Sequence, residues 1–111
     1  MNTTLIAYGY MRLRADVDED ELAVIEGQLY GCAEKHGLRL ADMYYEDGPG
    51  IAPSRLIRRL IRDDVRHVIV PSLVQITEHP LLQLLVSETI TLDAGALLYE
   101  ASEFREQANA R

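Results

Sequence analysis

Arginine residues form the densest group of chemically useful side chains in this sequence. Residues three and four apart share one face of a helix, so the spacing of these arginines predicts a basic helix face. Guanidinium groups stay protonated and bind phosphate or carboxylate oxygens. The series consists of Arg55, Arg58, Arg59, Arg62 and Arg66. We interpret it as the solvated face of an amphipathic helix, and the alternative is contact with a nucleic-acid backbone through Arg55, Arg58, Arg59 and Arg62.

A second group of polar residues follows two apolar segments that are predicted to be strands. Arg12 and Arg14 end the first of these segments, and Ser72 and Gln75 follow the other. In parallel α/β sheets, ligands bind outside the carboxyl ends of the strands. Two neighbouring guanidinium groups can hold a phosphate or a carboxylate at such a place. Arg12, Arg14, Ser72 and Gln75 are therefore candidates for an anion-binding pocket.

Other residue types with catalytic or metal-binding potential favour structural roles. His36, His67 and His79 are too far apart in sequence to form a local pair of metal ligands. Cys32 falls on the apolar side of a predicted helix, which favours a buried and unreactive thiol. The Gly-Pro-Gly segment at 48–50 is not followed by Lys-Ser or Lys-Thr, so it predicts a turn rather than a phosphate-binding loop. We therefore predict no metal and no cofactor.

Length and composition limit the class of protein. The chain has 111 residues, of which 48% are hydrophobic and 26% are charged, as is typical of one globular domain. A net charge of −7 argues against a protein whose whole surface binds DNA, and a single cysteine excludes a disulfide within one chain. The sequence has neither the ~20 apolar residues of a bilayer span nor the basic start of a secretory signal. We expect a cytoplasmic protein without membrane contact.

Strands and helices are predicted to alternate along the chain. Apolar runs predict strands over 5–13, 38–45, 67–70 and 96–99. The acidic run 16–21 predicts the start of the first helix, with Asp18 as its cap and Gly37 as its end. Residues 102–111 predict a polar tail or a short terminal helix.

Two further helices are predicted after the second strand. Ser54 is expected to cap the first of them, which carries the arginine series. The other is expected to begin over 77–80 and to end at Gly95. Its candidate core residues are Leu81, Leu82, Leu84, Leu85, Ile90 and Leu92.

The segment at 8–14, Tyr-Gly-Tyr-Met-Arg-Leu-Arg, resembles the opening strand of the serine recombinase catalytic domain, which belongs to the resolvase and invertase family. That strand reads roughly Gly-Tyr-x-Arg-Val-Ser in the family. The resemblance continues through the segments 33–37, 45–50, 56–61, 68–73 and 96–99. It implies an α/β fold of three layers, resolvase-like (flavodoxin-like), with a mostly parallel four-stranded sheet that is truncated after strand 4. It also implies a resolvase-like domain over 1–101.

The sequence departs from the family at the positions that carry the family's chemistry. Arg14 stands where the family has the serine that attacks the phosphodiester, and a guanidinium has no lone pair available for such an attack. The two arginines of a later family motif correspond to Gln75 and Glu78. The aspartate of the same motif corresponds to Val74.

Only part of the family's positive cluster is retained. Arg12 matches a family arginine, while the arginine after the glycine loop corresponds to Pro53 or a neighbour, with Arg55 close but shifted. One arginine of this kind is worth about 10³-fold or more in the rate of phosphoryl transfer. Ser72 has no identifiable general base beside it to make it a substitute nucleophile. The resemblance therefore implies an inactive relative of the recombinases, a pseudoenzyme.

These residues together predict a non-catalytic domain that acts in protein–protein interaction or regulation, either as a homo-oligomer or with a different protein. Family members continue into a fifth strand, a dimer helix and a DNA-binding region, and a sheet without them would leave apolar surface for a partner. The candidate interface is Leu81, Leu82, Leu84 and Leu85. Two alternatives remain open: residual DNA binding or recombinase modulation by the helix over 55–66, and a small anionic ligand in the vestigial pocket.

Overall fold

Strands and helices alternate along residues 5–13, 17–47 and 53–102, which are the residues that the computed structural model describes. The strands are β1 (Leu5–Arg12), β2 (Leu38–Glu46), β3 (His67–Val70) and β4 (Leu97–Glu100). The helices are α1 (Glu19–Lys35), α2 (Ser54–Asp63), α3 (Leu73–Ile76) and α4 (Pro80–Glu88). A π-helical turn over Thr89–Asp93 extends α4.

The four strands form one sheet in the order β2-β1-β3-β4, and every neighbouring pair is parallel. This confirms the prediction of a mostly parallel four-stranded sheet. β1 pairs along its whole length with β2, from Leu5 opposite Leu38 to Arg12 opposite Glu46. One bulge, at Ala41, interrupts this pairing. On its other side β1 is paired with β3 only at Tyr8 and Gly9.

Helices cover both faces of the sheet, which gives the predicted three layers. The side chains of β1 alternate between the faces, so that Tyr8 and Tyr10 pack on one side and Ala7 and Met11 on the other. The tyrosine side is covered by α2, α3, α4 and the π turn. The other side is covered by α1, through Leu29, Cys32 and Ala33. Because β1 lies under both layers, its last six residues are all buried.

The first helix begins and ends as its sequence predicts. Asp18 accepts a hydrogen bond from the Glu21 amide at 2.8 Å, and the Glu21 carboxylate reaches back to the Asp18 amide at 3.4 Å. This capping box satisfies two amides that have no partner within the helix. Gly37 follows the helix with φ +71°, a conformation that glycine adopts without strain. Cys32 is fully buried, and this burial raises the pKa of its thiol.

One prediction about local structure is wrong, and one short helix was not predicted. Ser54 does not cap α2: it is the first residue of the helix, and Pro53 occupies the cap position without a side-chain hydrogen bond. The third strand spans His67–Val70 as predicted, and the single-turn helix α3 follows it from Leu73. One turn of helix is too short to leave a periodic pattern in the sequence.

The leucines of α4 were expected in the core, and most of them are not there. Leu81, Leu84, Leu85 and Leu92 are 80%, 53%, 50% and 74% exposed. The helix reaches the core through the fully buried Val86, and the π turn does so through Ile90. These two residues are four apart and share one helix face, so the opposite face is turned to solvent. Leu82 is half-buried.

Three predictions about local structure lie outside the described residues. They are the role of Asp16 in the acidic run, the turn at 48–50, and the tail or terminal helix beyond 102. Asp18, Glu19, Asp20 and Glu21 from the same acidic run form the first turn of α1 and its cap.

A methyl group at Gly9 is expected to displace the Met43 side chain. A Cβ atom there would overlap Met43 Sδ and lie 3.3 Å from Leu40 Cδ1, so the flexible methionine must move and Gly9→Ala should lower the free energy of unfolding by about 1 kcal/mol. The matched control is Gly27→Ala in α1, where no atom lies within 4 Å and helix propensity should add about 0.5–1 kcal/mol. Urea denaturation measures both, and equal stability of the two variants would contradict the packing.

Candidate functional site

The ends of β1 and β2 meet at the carboxyl edge of the sheet, where a ligand site was predicted. Arg12 ends β1 with only 9% of its surface exposed, and its backbone lies opposite that of Glu46 at the end of β2. The Leu13 amide donates to the Glu46 carbonyl oxygen at 2.8 Å and extends this pairing by one residue. Arg14, the second arginine predicted at this edge, lies outside the described residues.

The side-chain amide of Gln75 binds the main chain of Arg12. Gln75 Oε1 accepts a hydrogen bond from the Arg12 amide at 3.1 Å, and Gln75 Nε2 donates to the Arg12 carbonyl oxygen at 2.5 Å. A strand neighbour would normally supply both bonds, but β3 ends at Val70 and does not reach Arg12. Gln75 therefore replaces a strand residue at this position and fixes α3 to the end of β1.

Ser72 has a structural task at the start of α3. Its Oγ accepts a hydrogen bond from the Gln75 amide at 3.1 Å, which makes Ser72 the cap of this helix. Glu100 Oε1 accepts from the Leu73 amide at 3.0 Å, so β4 also holds the start of the helix. Among the described residues, no imidazole or carboxylate makes a hydrogen bond with Ser72 Oγ. A serine nucleophile needs such a base to remove its proton.

Tyr10, Glu46 and Arg55 join this site, although the sequence alone did not group them. The Tyr10 hydroxyl, on a fully buried ring, donates to Glu46 Oε1 at 3.4 Å. Burial raises the pKa of Tyr10, the Glu46 carboxylate raises it further, and Arg12 and Arg55 oppose the rise. Arg55 also donates to the Tyr45 carbonyl oxygen at 3.0 Å. The pairing register of β1 and β2 brings Tyr10 and Glu46 together, and α2 supplies Arg55. The composition of the two strands does not encode that register.

The polar groups at the carboxyl edge of the sheet bind one another, which disfavours a phosphate site there. Of the four predicted pocket residues, Arg12, Ser72 and Gln75 are brought together. The Gln75 side chain is held by a main chain, and Glu46 adds negative charge beside Arg12 and Arg55. A phosphate would have to approach this carboxylate, which repels it. In the part of the chain that the structure describes, no three His, Cys, Asp or Glu side chains form a possible metal site.

Three of the five arginines of the basic series form ion pairs with aspartates at the C-terminal end of α2. Arg59 and Arg62 contact the Asp63 carboxylate at 3.3 and 3.2 Å, and Arg66 contacts Asp64 at 3.0 Å. Asp63 also accepts a hydrogen bond from the Tyr8 hydroxyl at 2.5 Å. Within the described residues, Arg55 and Arg58 are exposed and have no ion pair, although Arg55 donates to the Tyr45 carbonyl oxygen. These pairs reduce the positive potential that a nucleic-acid backbone would meet.

Two of the three histidines contact the same tyrosine, Tyr99. The His36 ring packs on the Tyr99 ring with 4.6 Å between centroids, and His67 Nδ1 is hydrogen-bonded to the Tyr99 hydroxyl at 3.0 Å. These contacts tie the end of α1 to β3 and β4. His79 is exposed and occupies the cap position of α4.

Comparison with known proteins gives a match in structure only. The fold is similar to that in the crystal structure of the N-terminal catalytic domain of TP901-1 integrase, a serine recombinase, with a TM-score of 0.65. The match covers 88% of this chain and 78% of the other, with 20% sequence identity. No family model and no curated protein sequence matches the chain. The fold expected from the resemblance is confirmed. None of the described helices is long and apolar enough to cross a bilayer.

Gln75→Ala should destabilise the domain, because it removes both partners of the Arg12 main chain. Leaving a partly buried amide and carbonyl without partners costs about 1–3 kcal/mol. The control is Gln28→Ala on α1, since Gln28 makes no side-chain hydrogen bond in the described structure, and this change should alter the free energy of unfolding by less than ~0.5 kcal/mol. Equal effects of the two substitutions in urea denaturation would show that the Gln75 contact contributes nothing.

The bond between Tyr8 and Asp63 should give stability a defined pH dependence. Hydrogen bonds from Tyr8 and Arg62 lower the pKa of Asp63. The ionised carboxylate therefore stabilises the fold at pH values above the ordinary aspartate pKa, and this stabilisation is lost as the pH falls below about 4. Burial and Asp63 raise the pKa of Tyr8 to about 12, so its contribution is complete below pH ~10 and is lost as the pH rises toward about 12. The difference in Tm between the wild type and Tyr8→Phe should therefore shrink at both extremes, and a difference that is constant with pH would contradict this assignment.

Proposed function

We propose that this chain, which has the fold of a serine recombinase catalytic domain, is a non-catalytic domain that binds another protein through the solvent side of α4. The single observation that carries this proposal is the exposure of four leucines on α4 and on the π-helical turn that extends it. We call them the leucine face: Leu81, Leu84, Leu85 and Leu92. Contiguous apolar surface of this kind is typical of protein interfaces, whereas single exposed apolar residues are ordinary.

The spacing of the leucine face suggests the kind of partner. The other three members lie three, four and eleven residues after Leu81, so they form a row along the helix. Burying one leucine side chain contributes about 1.5–3 kcal/mol, so a partner that covers the row gains several kcal/mol. The exposed Glu88 lies in the same row. The best-fitting partner is an amphipathic helix that carries a lysine or arginine among its apolar residues.

The carboxyl edge of the sheet supports the non-catalytic part of the proposal. Arg14 replaces the family's nucleophile in sequence, Ser72 Oγ is the cap of α3, and Gln75 binds the main chain of Arg12. Strand cleavage needs an activated nucleophile and positive charge around the phosphorus oxygens. Glu46 beside Arg12 works against that charge.

Nucleic-acid binding receives less support than protein binding. Arg59, Arg62 and Arg66 already pair with carboxylates of their own chain, and the net charge of the chain is −7. Binding to DNA would require these pairs to open, and each opened pair would leave an aspartate facing the phosphates. A small anion at Arg12 and Arg55 would meet Glu46 in the same way.

Photo-crosslinking in cells tests the protein-binding part. A crosslinker at Leu85 should trap a specific protein that the same group at Val24, which is 60% exposed on α1, does not trap. The trapped protein, once purified, should bind the wild-type chain, and Leu81→Asp with Leu85→Asp should weaken this binding at least about ten-fold. Unchanged affinity of the double variant, or the same crosslinked product from both positions, would overturn the proposal.

A cleavage assay with the purified wild-type chain tests the proposal that the domain is non-catalytic. Incubation with supercoiled DNA, followed by denaturation, should yield no DNA covalently joined to the chain, because a phosphoserine bond needs a nucleophile that the site lacks. A covalent adduct that disappears in Ser72→Ala would overturn this part and leave the protein-binding part intact.

A further inference from the structure

A groove lies between α1 and β2, on the side of the sheet away from α4. Its volume is about 490 Å³. On the helix side it is shaped by Gly27 and Gly31, where a Cβ atom would have no neighbour within 4 Å. On the strand side it is lined by Leu38 and Leu40, which belong to the core. The groove is therefore a hollow with an apolar floor beside a helix surface that lacks side chains.

Opposite charges line the same groove without neutralising each other. Glu34 belongs to α1 and Arg39 to β2, and both are exposed. In the described part of the chain, neither side chain makes a hydrogen bond or an ion pair. The arginines Arg59, Arg62 and Arg66 of the other layer all have carboxylate partners. One anion and one cation are thus both available at this groove.

Tyr30 provides a projecting side chain on the same surface. It is 55% exposed and lines the groove between the two glycines. Tyrosine and arginine are over-represented among the residues that dominate binding energy at interfaces. The surface around the groove therefore contains a projecting side chain, Tyr30, and a hollow that could receive one. It also contains a negative charge, Glu34, and a positive charge, Arg39.

We propose that this groove binds a second copy of the chain about a two-fold axis that passes between Glu34 and Arg39. An interface between identical copies uses one surface twice, so that surface must contain both members of every complementary pair. The axis places Glu34 of each copy opposite Arg39 of the other, which forms two ion pairs. It also brings each Tyr30 to the hollow beside Gly27 and Gly31 of the other copy. The proposal is independent of the leucine face, because α1 and α4 lie on opposite sides of the sheet.

The neighbouring strand edge favours a second copy over an extended peptide. A peptide would add to the outer edge of β2, but Asp42 Oδ1 accepts from the Met43 amide at 2.9 Å and Arg55 occupies the Tyr45 carbonyl oxygen. The bulge at Ala41 further breaks the regularity of the edge. Groups that are already bonded offer no ladder to a new strand. The occupant therefore docks through side chains on the surface.

Charge reversal tests the two-fold pairing. Sedimentation equilibrium should show a concentration-dependent dimer for the wild type, and Glu34→Arg or Arg39→Glu alone should weaken it at least about ten-fold, because each creates two like-charge contacts. An equimolar mixture of the two single variants should associate again, since both contacts of the mixed dimer then join opposite charges. The double variant with both changes should also dimerise.

Controls separate this proposal from the proposed function and from misfolding. Arg58→Glu on α2 and the Leu81→Asp, Leu85→Asp variant should both dimerise like the wild type, and circular dichroism should show every variant folded. Three results would each overturn the inference: a wild-type monomer up to several hundred micromolar, an unchanged dimer in the single reversals, or a mixture that stays monomeric. Loss of the dimer only in the leucine variant would overturn it too, because self-association would then belong to α4.

Discussion

The hydrogen bonds between the Gln75 side chain and the Arg12 main chain hold the carboxyl edge of the sheet together. β1 is buried on both faces, so the peptide groups at its end have little access to water and need partners within the protein. β3 is too short to supply them. The glutamine amide offers one acceptor and one donor at the spacing of a neighbouring strand. The position of α3, the role of Ser72 as its cap and the bond from Leu73 to Glu100 all follow from this attachment.

Sequence periodicity was sufficient to predict the alternation of strands and helices. It was insufficient to predict which face of a helix packs against the sheet. The cap at Asp18 and the stop at Gly37 are local signals and were read correctly. The leucines of α4 were assigned to the core because a run of apolar residues does not reveal which face meets the sheet. Val86 and Ile90 take that face, which leaves most of the leucines in solvent. Apolar composition thus predicted burial where the structure has exposure.

The candidate site shows a second limit of sequence reasoning. Arg12, Ser72 and Gln75 lie close together, as expected for residues at the ends of strands in a parallel sheet, whose carboxyl ends share one edge. Glu46 and Tyr10 were missed because their meeting depends on the register between β1 and β2, which includes a bulge. The ion pairs of the basic helix were not predicted either, since Asp63 at the end of α2 binds two arginines and also Tyr8 of β1. Long-range contacts of this kind are set by packing, and spacing along the chain does not specify them.

The outer edge of β2 has a consequence for the behaviour of the protein at high concentration. This strand is nine residues long, and a regular edge of that length is a template on which further chains can stack into fibrils. Its bulge, the Asp42 carboxylate on the Met43 amide and the Arg55 guanidinium on the Tyr45 carbonyl remove that template. A domain that displays four leucines to solvent would otherwise combine two routes to aggregation. With this edge blocked, and with only four residues in β4 at the other edge, contacts with other chains are left mainly to side-chain surfaces, where shape and charge allow selection among them.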